Sequence, residues 1–152
     1  MQHSRKTTSI LLFAFLLVFA NSSLAQKGEL DITYTVALKD IASQQFHITT
    51  EIKNISQPKL ELSLPTWTPG WYVVENYGKN LLRFNVTDGG GKRLQPRMTK
   101  KQIWSVDTKG ISQIRVEYDY RATVLGLNQA KIATDFAFFT GIELFLEPLG
   151  HR

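Results

Sequence analysis

The sequence predicts an all-β fold, an antiparallel β-sandwich, and three observations carry that prediction. Apolar and polar residues alternate with a period of two over four separate stretches. Turn signals rich in Gly, Asn and Pro fall between the stretches, and only residues 124–134 hint at a helix.

The first element to justify is one that should not contribute to the fold. Residues 1–25 have the layout of a secretory signal peptide: a basic start (His3, Arg5, Lys6), an apolar run from Ile10 to Ala20, and Ser23-Leu24-Ala25 at the position a signal peptidase reads. The apolar run of 11 residues falls short of the roughly 20 needed to span a bilayer, so cleavage after Ala25 is expected rather than a stable membrane anchor. The expected destination is periplasmic or extracellular, and residues 26–152 form the mature domain.

Leu30, Ile32, Tyr34, Val36 and Leu38 alternate with Asp31, Thr33 and Thr35, a strand with one wet face. Phe46, Ile48, Thr50 and Ile52 repeat the pattern, and Leu60, Leu62 and Leu64 repeat it again. Ile114, Val116, Tyr118 and Tyr120 against Arg115, Glu117, Asp119 and Arg121 give the clearest case. Between them, residues 82–86 and 102–106 flank Asp88-Gly89-Gly90-Gly91-Lys92 and are expected to form a hairpin or meander, because glycines permit the positive φ of tight reversals. Residues 124–134 contain Gly126 and lack an apolar stripe, so they are expected to be a loop with one helical turn. The apolar stretch Phe136 to Leu146 is expected to be a strand with nothing left to cover its edge, as though the domain were cut before its last strand.

Composition narrows the function classes. Without the signal, 16 basic residues face 13 acidic ones, a net charge of +3, and apart from the short cluster Arg97, Lys100 and Lys101 the cations are scattered. That distribution argues against a nucleic-acid partner. The absence of cysteine removes thiolate chemistry and disulfides. His47 is the one histidine inside the fold, since His3 lies in the signal and His151 is penultimate. A zinc-protease helix needs two histidines four apart, and His47 and Glu51 on one strand are roughly 13 Å apart. His47 is therefore read as a solvated residue of a polar face. No Gly-x-Ser-x-Gly elbow occurs, and Glu51, Glu61, Glu117 and Asp119 fall on wet strand faces. The expectation is no catalytic residue and no metal ligand in this chain.

One segment is too rich in aromatics and prolines for an ordinary connection: Leu64-Pro65-Thr66-Trp67-Thr68-Pro69-Gly70-Trp71-Tyr72-Val73-Val74-Glu75-Asn76-Tyr77. Pro65 and Pro69 fix their own φ and push their predecessors towards extended geometry, while Gly70 suits a turn. Trp67, Trp71, Tyr72 and Tyr77 are thereby held with little entropy left to lose. Such aromatics plug one end of the sandwich, pack against a neighbouring domain, or meet a ligand directly. The candidate site is this loop: Trp67, Pro69, Gly70, Trp71, Tyr72 and Tyr77.

At Leu64-Pro65, Trp67, Pro69-Gly70, Tyr72, Glu75-Asn76, Tyr77 and Lys79 the chain resembles the amino-terminal β domain of the glycyl aminopeptidases, zinc metallopeptidases of family sixty-one that often carry a PDZ domain. Phe84-Asn85-Val86, Ile103-Trp104-Ser105-Val106, Val116 to Tyr120 and Phe138 to Leu146 extend the resemblance over about Leu30 to Leu149. Gly78 stands where the family more often has alanine. The resemblance implies a non-catalytic front domain, a fragment of an exported zinc aminopeptidase. Zinc and the catalytic residues would then lie in a downstream domain, which is the expected partner, with peptide substrate met only indirectly. The alternatives are a free-standing exported binding module that uses the aromatic loop for peptide or sugar, and a sandwich that accepts a partner strand near Phe136 to Leu146.

Overall fold

A computed structural model describes residues 28–150. The signal segment, its cleavage, His3 and His151 lie outside the described residues. Two antiparallel sheets face each other. The first contains β1 (Asp31–Ala37), β2 (Gln45–Lys53), β4 (Leu81–Asp88), β5 (Arg93–Leu94) and β8 (Gln113–Arg121), in the order β1-β2-β8-β4-β5. The second contains β3 (Lys59–Ser63), β6 (Arg97–Lys100), β7 (Ile103–Asp107) and β12 (Glu147–Pro148), in the order β12-β3-β7-β6. A three-stranded sheet of β9 (Thr123–Gly126), β10 (Gln129–Ile132) and β11 (Ala137–Phe138) completes the architecture.

Alternation builds the core as expected. Ile48, Ile52, Ile114, Val116 and Tyr118 from the first sheet meet Leu60, Leu62, Trp104 and Val106 from the second in one buried cluster. Phe84 bridges the two, its ring 5.1 Å from Trp104 and 6.2 Å from Tyr118. Each buried side chain of this size contributes about 1.5–3 kcal/mol of transfer free energy, so a one-residue register slip, which would turn every one of them outward, is strongly disfavoured.

Three local expectations are corrected. The Gly-rich turn does make a hairpin, with Asp88 Oδ1 accepting from the N–H groups of Gly90 and Lys92, each at 2.9 Å, and Gly91 at φ +82°. Its partner strand, however, is the short β5, while residues 103–107 join the opposite sheet as β7. Pro96 explains the change of sheet: it has no N–H to extend the ladder begun by Arg93 and Leu94.

Residues 123–132 form a β-hairpin instead of a loop with a helical turn. Gln129 pairs with Gly126 around a two-residue tip, Leu127-Asn128. Gly and Asn favour this kind of reversal over a helix.

The tail is neither one strand nor uncovered. After β11 it makes a single turn, α1 (Gly141–Leu144), and then β12, which pairs with the edge of β3 through Glu147–Ser63 and Pro148–Leu62. Leu144 and Leu146 are fully buried. The Tyr34 hydroxyl donates to Leu146 O at 2.7 Å, the Tyr118 hydroxyl donates to Leu144 O, and the Tyr34 ring stacks on Phe145 at 4.5 Å. Burying those side chains and satisfying those carbonyls through β1 and β8 makes the segment part of the core.

On the outer face of the first sheet His47 is more ordered than a solvated histidine. Its Nδ1 lies 2.9 Å from Asp119 Oδ1, and Asp119 Oδ2 accepts from Arg83 Nε. Arg83 sits at φ +53° where the β4–β8 register shifts, so the carboxylate ties an irregular stretch of β4 to two regular strands. Burial pushes the Asp119 carboxyl up, but the bonds from Arg83 and His47 outweigh it and hold it below its ordinary value.

Candidate functional site

The aromatic loop leaves β3 and returns at Tyr77, where a short 3-10 turn (Tyr77–Asn80) leads into β4. Its shape follows from its residues. Trp71 N donates to Thr68 O at 3.0 Å, with Pro69 in the second position of the reversal and Gly70 at φ +85° in the third. These are the residues a type II turn requires. Higher up, Glu75 N donates to Thr66 O at 2.8 Å and closes the loop on itself.

Gln102 anchors the closed loop to the sandwich. This residue is buried at φ +63°, its carbonyl accepts from Leu64 N at 3.1 Å, its Oε1 accepts from Gly78 N at 2.6 Å, and its Nε2 donates to Glu75 O at 3.0 Å. A Cβ at Gly78 would lie 3.0 Å from Gln102 Cγ. That close approach accounts for glycine at a position where the resemblance would have alanine.

The six predicted site residues do not share one environment. Tyr77 is buried, 3% exposed, and belongs to the core; Pro69 and Gly70 form the exposed reversal. Tyr72 is 89% exposed at the loop's tip, and Trp67 is 48% exposed. Trp71 lies between these extremes, its indole N–H donating to Glu75 Oε1 at 3.0 Å. The loop thus has a packed root at Tyr77, a hinge-like reversal at Pro69-Gly70, and a presented tip at Tyr72.

The β9–β10 hairpin is the part of this site that sequence reasoning missed. With its amide oriented so that both ends are satisfied, Asn128 at the hairpin tip accepts from Trp71 Nε1 at 3.3 Å and donates to Leu127 O at 3.2 Å. Glu75, Tyr77 and Asn80 on the loop side face Arg121, Asn128 and Gln129 on the hairpin side across a cleft of about 60 Å³. Both elements carry exposed apolar side chains: Tyr72, Val73 and Val74 on the loop, and Val124, Leu125 and Leu127 on the hairpin. A Gly-x-Asn reversal after Thr123 was the available signal.

Beneath the loop lies a second unpredicted group. Glu143 in α1 is fully buried; its Oε1 accepts from Thr140 N at 2.8 Å, and its Oε2 has no partner among the described residues. Thr140-x-x-Glu143 is a capping-box spacing, which was the sequence signal for it. Burial pushes the Glu143 carboxyl above its ordinary value, and bonds from Thr140 offset this only in part. The Tyr77 hydroxyl is pushed up first by burial, then by the charges of Glu75 and Glu143.

A stability prediction follows from Glu143. A carboxyl whose folded value is raised holds its proton more tightly in the native state, so ionisation favours unfolding. Its penalty is absent below the unfolded value of 4.5 and grows as pH climbs from there through the folded value. Urea midpoints measured from about pH 4.5 to about pH 8 should fall for the wild type, and the fall should be smaller for Glu143→Gln. Equal pH slopes for the two proteins would refute the assignment. Asp119, whose value is lowered, acts in the opposite direction and in a separate window, below its ordinary value of 3.8.

Among known protein families, residues 33–152 match the peptidase M61 N-terminal domain. No curated protein matches the chain. Among solved structures it is similar to an aminopeptidase N family protein from Idiomarina loihiensis, with 24% sequence identity and a TM-score of 0.71 over 79% of this chain and 20% of that one. The chain therefore spans about a fifth of the length of that protein, and the likeness is one of fold.

Proposed function

Because this chain belongs to the peptidase M61 N-terminal domain family, we propose that it serves as the non-catalytic front domain of an exported zinc aminopeptidase. In this reading the parent hydrolyses N-terminal residues from peptides in its catalytic domain, which docks on the aromatic loop and the β9–β10 hairpin. The observation that carries the reading is the exposure of Tyr72, Val73 and Val74 on the loop and of Val124, Leu125 and Leu127 on the hairpin that the loop meets at Trp71 and Asn128. Clustered exposed side chains of this size mark an interaction surface, whereas scattered single ones need no explanation. The loop that presents half of them is braced by Pro65, Pro69 and the Gln102 anchor, so docking orders little that is not already ordered.

Zinc belongs to the parent's other domain in this reading. Among the described residues no group of three or more His, Asp or Glu side chains is placed to hold a metal ion, so the residues present do not fit a zinc site. What this chain would supply is shape: a braced wall beside the site of the catalytic domain. The export part of the proposal rests on the signal-like residues 1–25. No helix among the described residues is long and apolar enough to cross a membrane.

The coding frame beyond Arg152 tests the reading first: a downstream His-Glu-x-x-His segment is expected. In that parent, Tyr72→Ser with Leu127→Ser should lower peptidase activity by about tenfold, while the unfolding free energy of the β domain, from urea titration, stays within about 0.5 kcal/mol of wild type. A native stop codon after Arg152 would sink it. Unchanged activity in the double variant would sink the docking face.

A further inference from the structure

Away from the loop, the chain crosses from one sheet to the other through Lys92-Arg93-Leu94-Gln95-Pro96-Arg97-Met98-Thr99-Lys100-Lys101, which holds five cations and no acid. Among the described residues none of the five is in an ion pair. Part of this stretch is β6, the last strand of its sheet, with all four residues exposed and β7 on one side only. Among the described residues no strand pairs with its other backbone edge.

The placement of the charges depends on a β-bulge. Residues three apart on a regular strand point to opposite faces. The β6–β7 register shifts between Met98 and Lys100, so that Arg97 stands opposite Ser105 and Lys100 opposite Ile103. Ile103 and Ser105 are two apart, so the bulge turns Arg97 and Lys100 to the same outer face. That face continues into a cleft of about 600 Å³, lined by Pro58, Lys59, Leu94, Arg97, Asp107 and Lys109. Lys59 in the cleft is paired with Glu61 at 3.3 Å, and Asp107 Oδ1 accepts from Lys109 N at 3.1 Å. Among the described residues neither Arg97 nor the Lys109 ammonium is in an ion pair.

Charged residues on an edge strand commonly serve to prevent edge-to-edge pairing. One or two lysines suffice for that, and here the guard is one-signed and bordered by a cleft. A second copy of β6 pairing with this edge would bring cations against cations. A strand with carboxylates at alternate positions would find Arg97 and Lys100 on its own side chains' face. The same charges that repel a copy therefore admit an acidic strand.

We propose that the free edge of β6 is a docking site for an extended acidic peptide segment, which adds as a further strand and places its carboxylates over Arg97, Lys100 and the mouth of the cleft. This site is separate from the loop and hairpin and stands whether or not they meet a catalytic domain.

The test uses the purified 152-residue chain and a fluorescein-labelled heptapeptide of alternating Glu and Val, read by anisotropy at low salt. Saturable binding is expected, with no binding of the matched Lys-Val peptide. Arg97→Glu with Lys100→Glu should weaken it by about tenfold or more, as loss of close charge pairs does. Both residues are exposed, and the milder Arg97→Gln with Lys100→Gln should weaken it less. The same acidic peptide N-methylated at alternate residues cannot complete a ladder and should also lose about tenfold. Absence of saturable binding would overturn the proposal. So would unchanged affinity on N-methylation together with equal competition by inorganic polyphosphate or by anionic phospholipid vesicles, since the patch would then be reading charge alone.

Discussion

Replacing Gln102 with alanine should destabilise the domain by about 2–4 kcal/mol and release the aromatic loop while the two sheets stay intact. The magnitude follows from what the side chain leaves behind. The Gly78 N–H and the Glu75 carbonyl both lose their partner, Gln102 itself being only 3% exposed. A buried polar group stripped of its hydrogen bond costs about 1–3 kcal/mol. Alanine keeps the left-handed backbone at φ +63°, whose cost of about 1 kcal/mol the wild-type glutamine already bears, so that cost adds nothing to the loss. Gln102→Gly separates the contributions: it removes the same bonds without the backbone cost, and the difference between the two variants reports that cost. Urea unfolding gives the energies, and limited proteolysis after Trp71 or Tyr72 gives the loop's release. A loss below about 0.5 kcal/mol with unchanged cleavage would mean the prolines alone hold the loop.

That anchor also shows where the sequence stops being legible. The strands that bury one face could be read directly, because period-two alternation at Ile48-Thr50-Ile52 or Val116-Tyr118-Tyr120 has no other economical explanation. The loop's outline was legible for a similar reason: Pro65, Pro69 and Gly70 constrain backbone geometry locally. Gln102 was not, because its role depends on a residue 24 positions earlier and on a backbone angle no pattern announces. His47 and Asp119 are 72 positions apart, and only strand order makes them partners. The β9–β10 hairpin escaped because Val124, Leu125 and Leu127 are exposed, so the alternation that marks other strands is absent there. Glu143 escaped for the converse reason, being an acid inside. The six loop residues lie on one segment, but it turns Tyr77 inward and Tyr72 outward, a division that depends on which side of it the core lies.

Leu146→Ala should be the most damaging single truncation outside the central strands, at about 3–5 kcal/mol. The residue is fully buried in a tail that looked, from its run of apolar residues, like an appended strand. Three contacts make it core instead. Its carbonyl accepts the Tyr34 hydroxyl at 2.7 Å, its neighbour Phe145 stacks on the Tyr34 ring, and β12 immediately after it covers the edge of β3. Loss of the side chain therefore opens a cavity where two sheets and the tail meet, and the site cannot collapse without pulling β12 from its partner. Phe138→Ala, in the same tail but 40% exposed, should cost about 1 kcal/mol or less. Tyr34→Phe keeps the ring stack and removes only the hydroxyl's bond, at about 1–2 kcal/mol. If tail and sheet act as one unit, Tyr34→Phe and Leu146→Ala together should cost less than their sum, because the bond lost in the first is already loosened in the second. Strict additivity, or a Leu146→Ala cost no greater than that of Phe138→Ala, would show instead that the tail rests on the sandwich without being part of it.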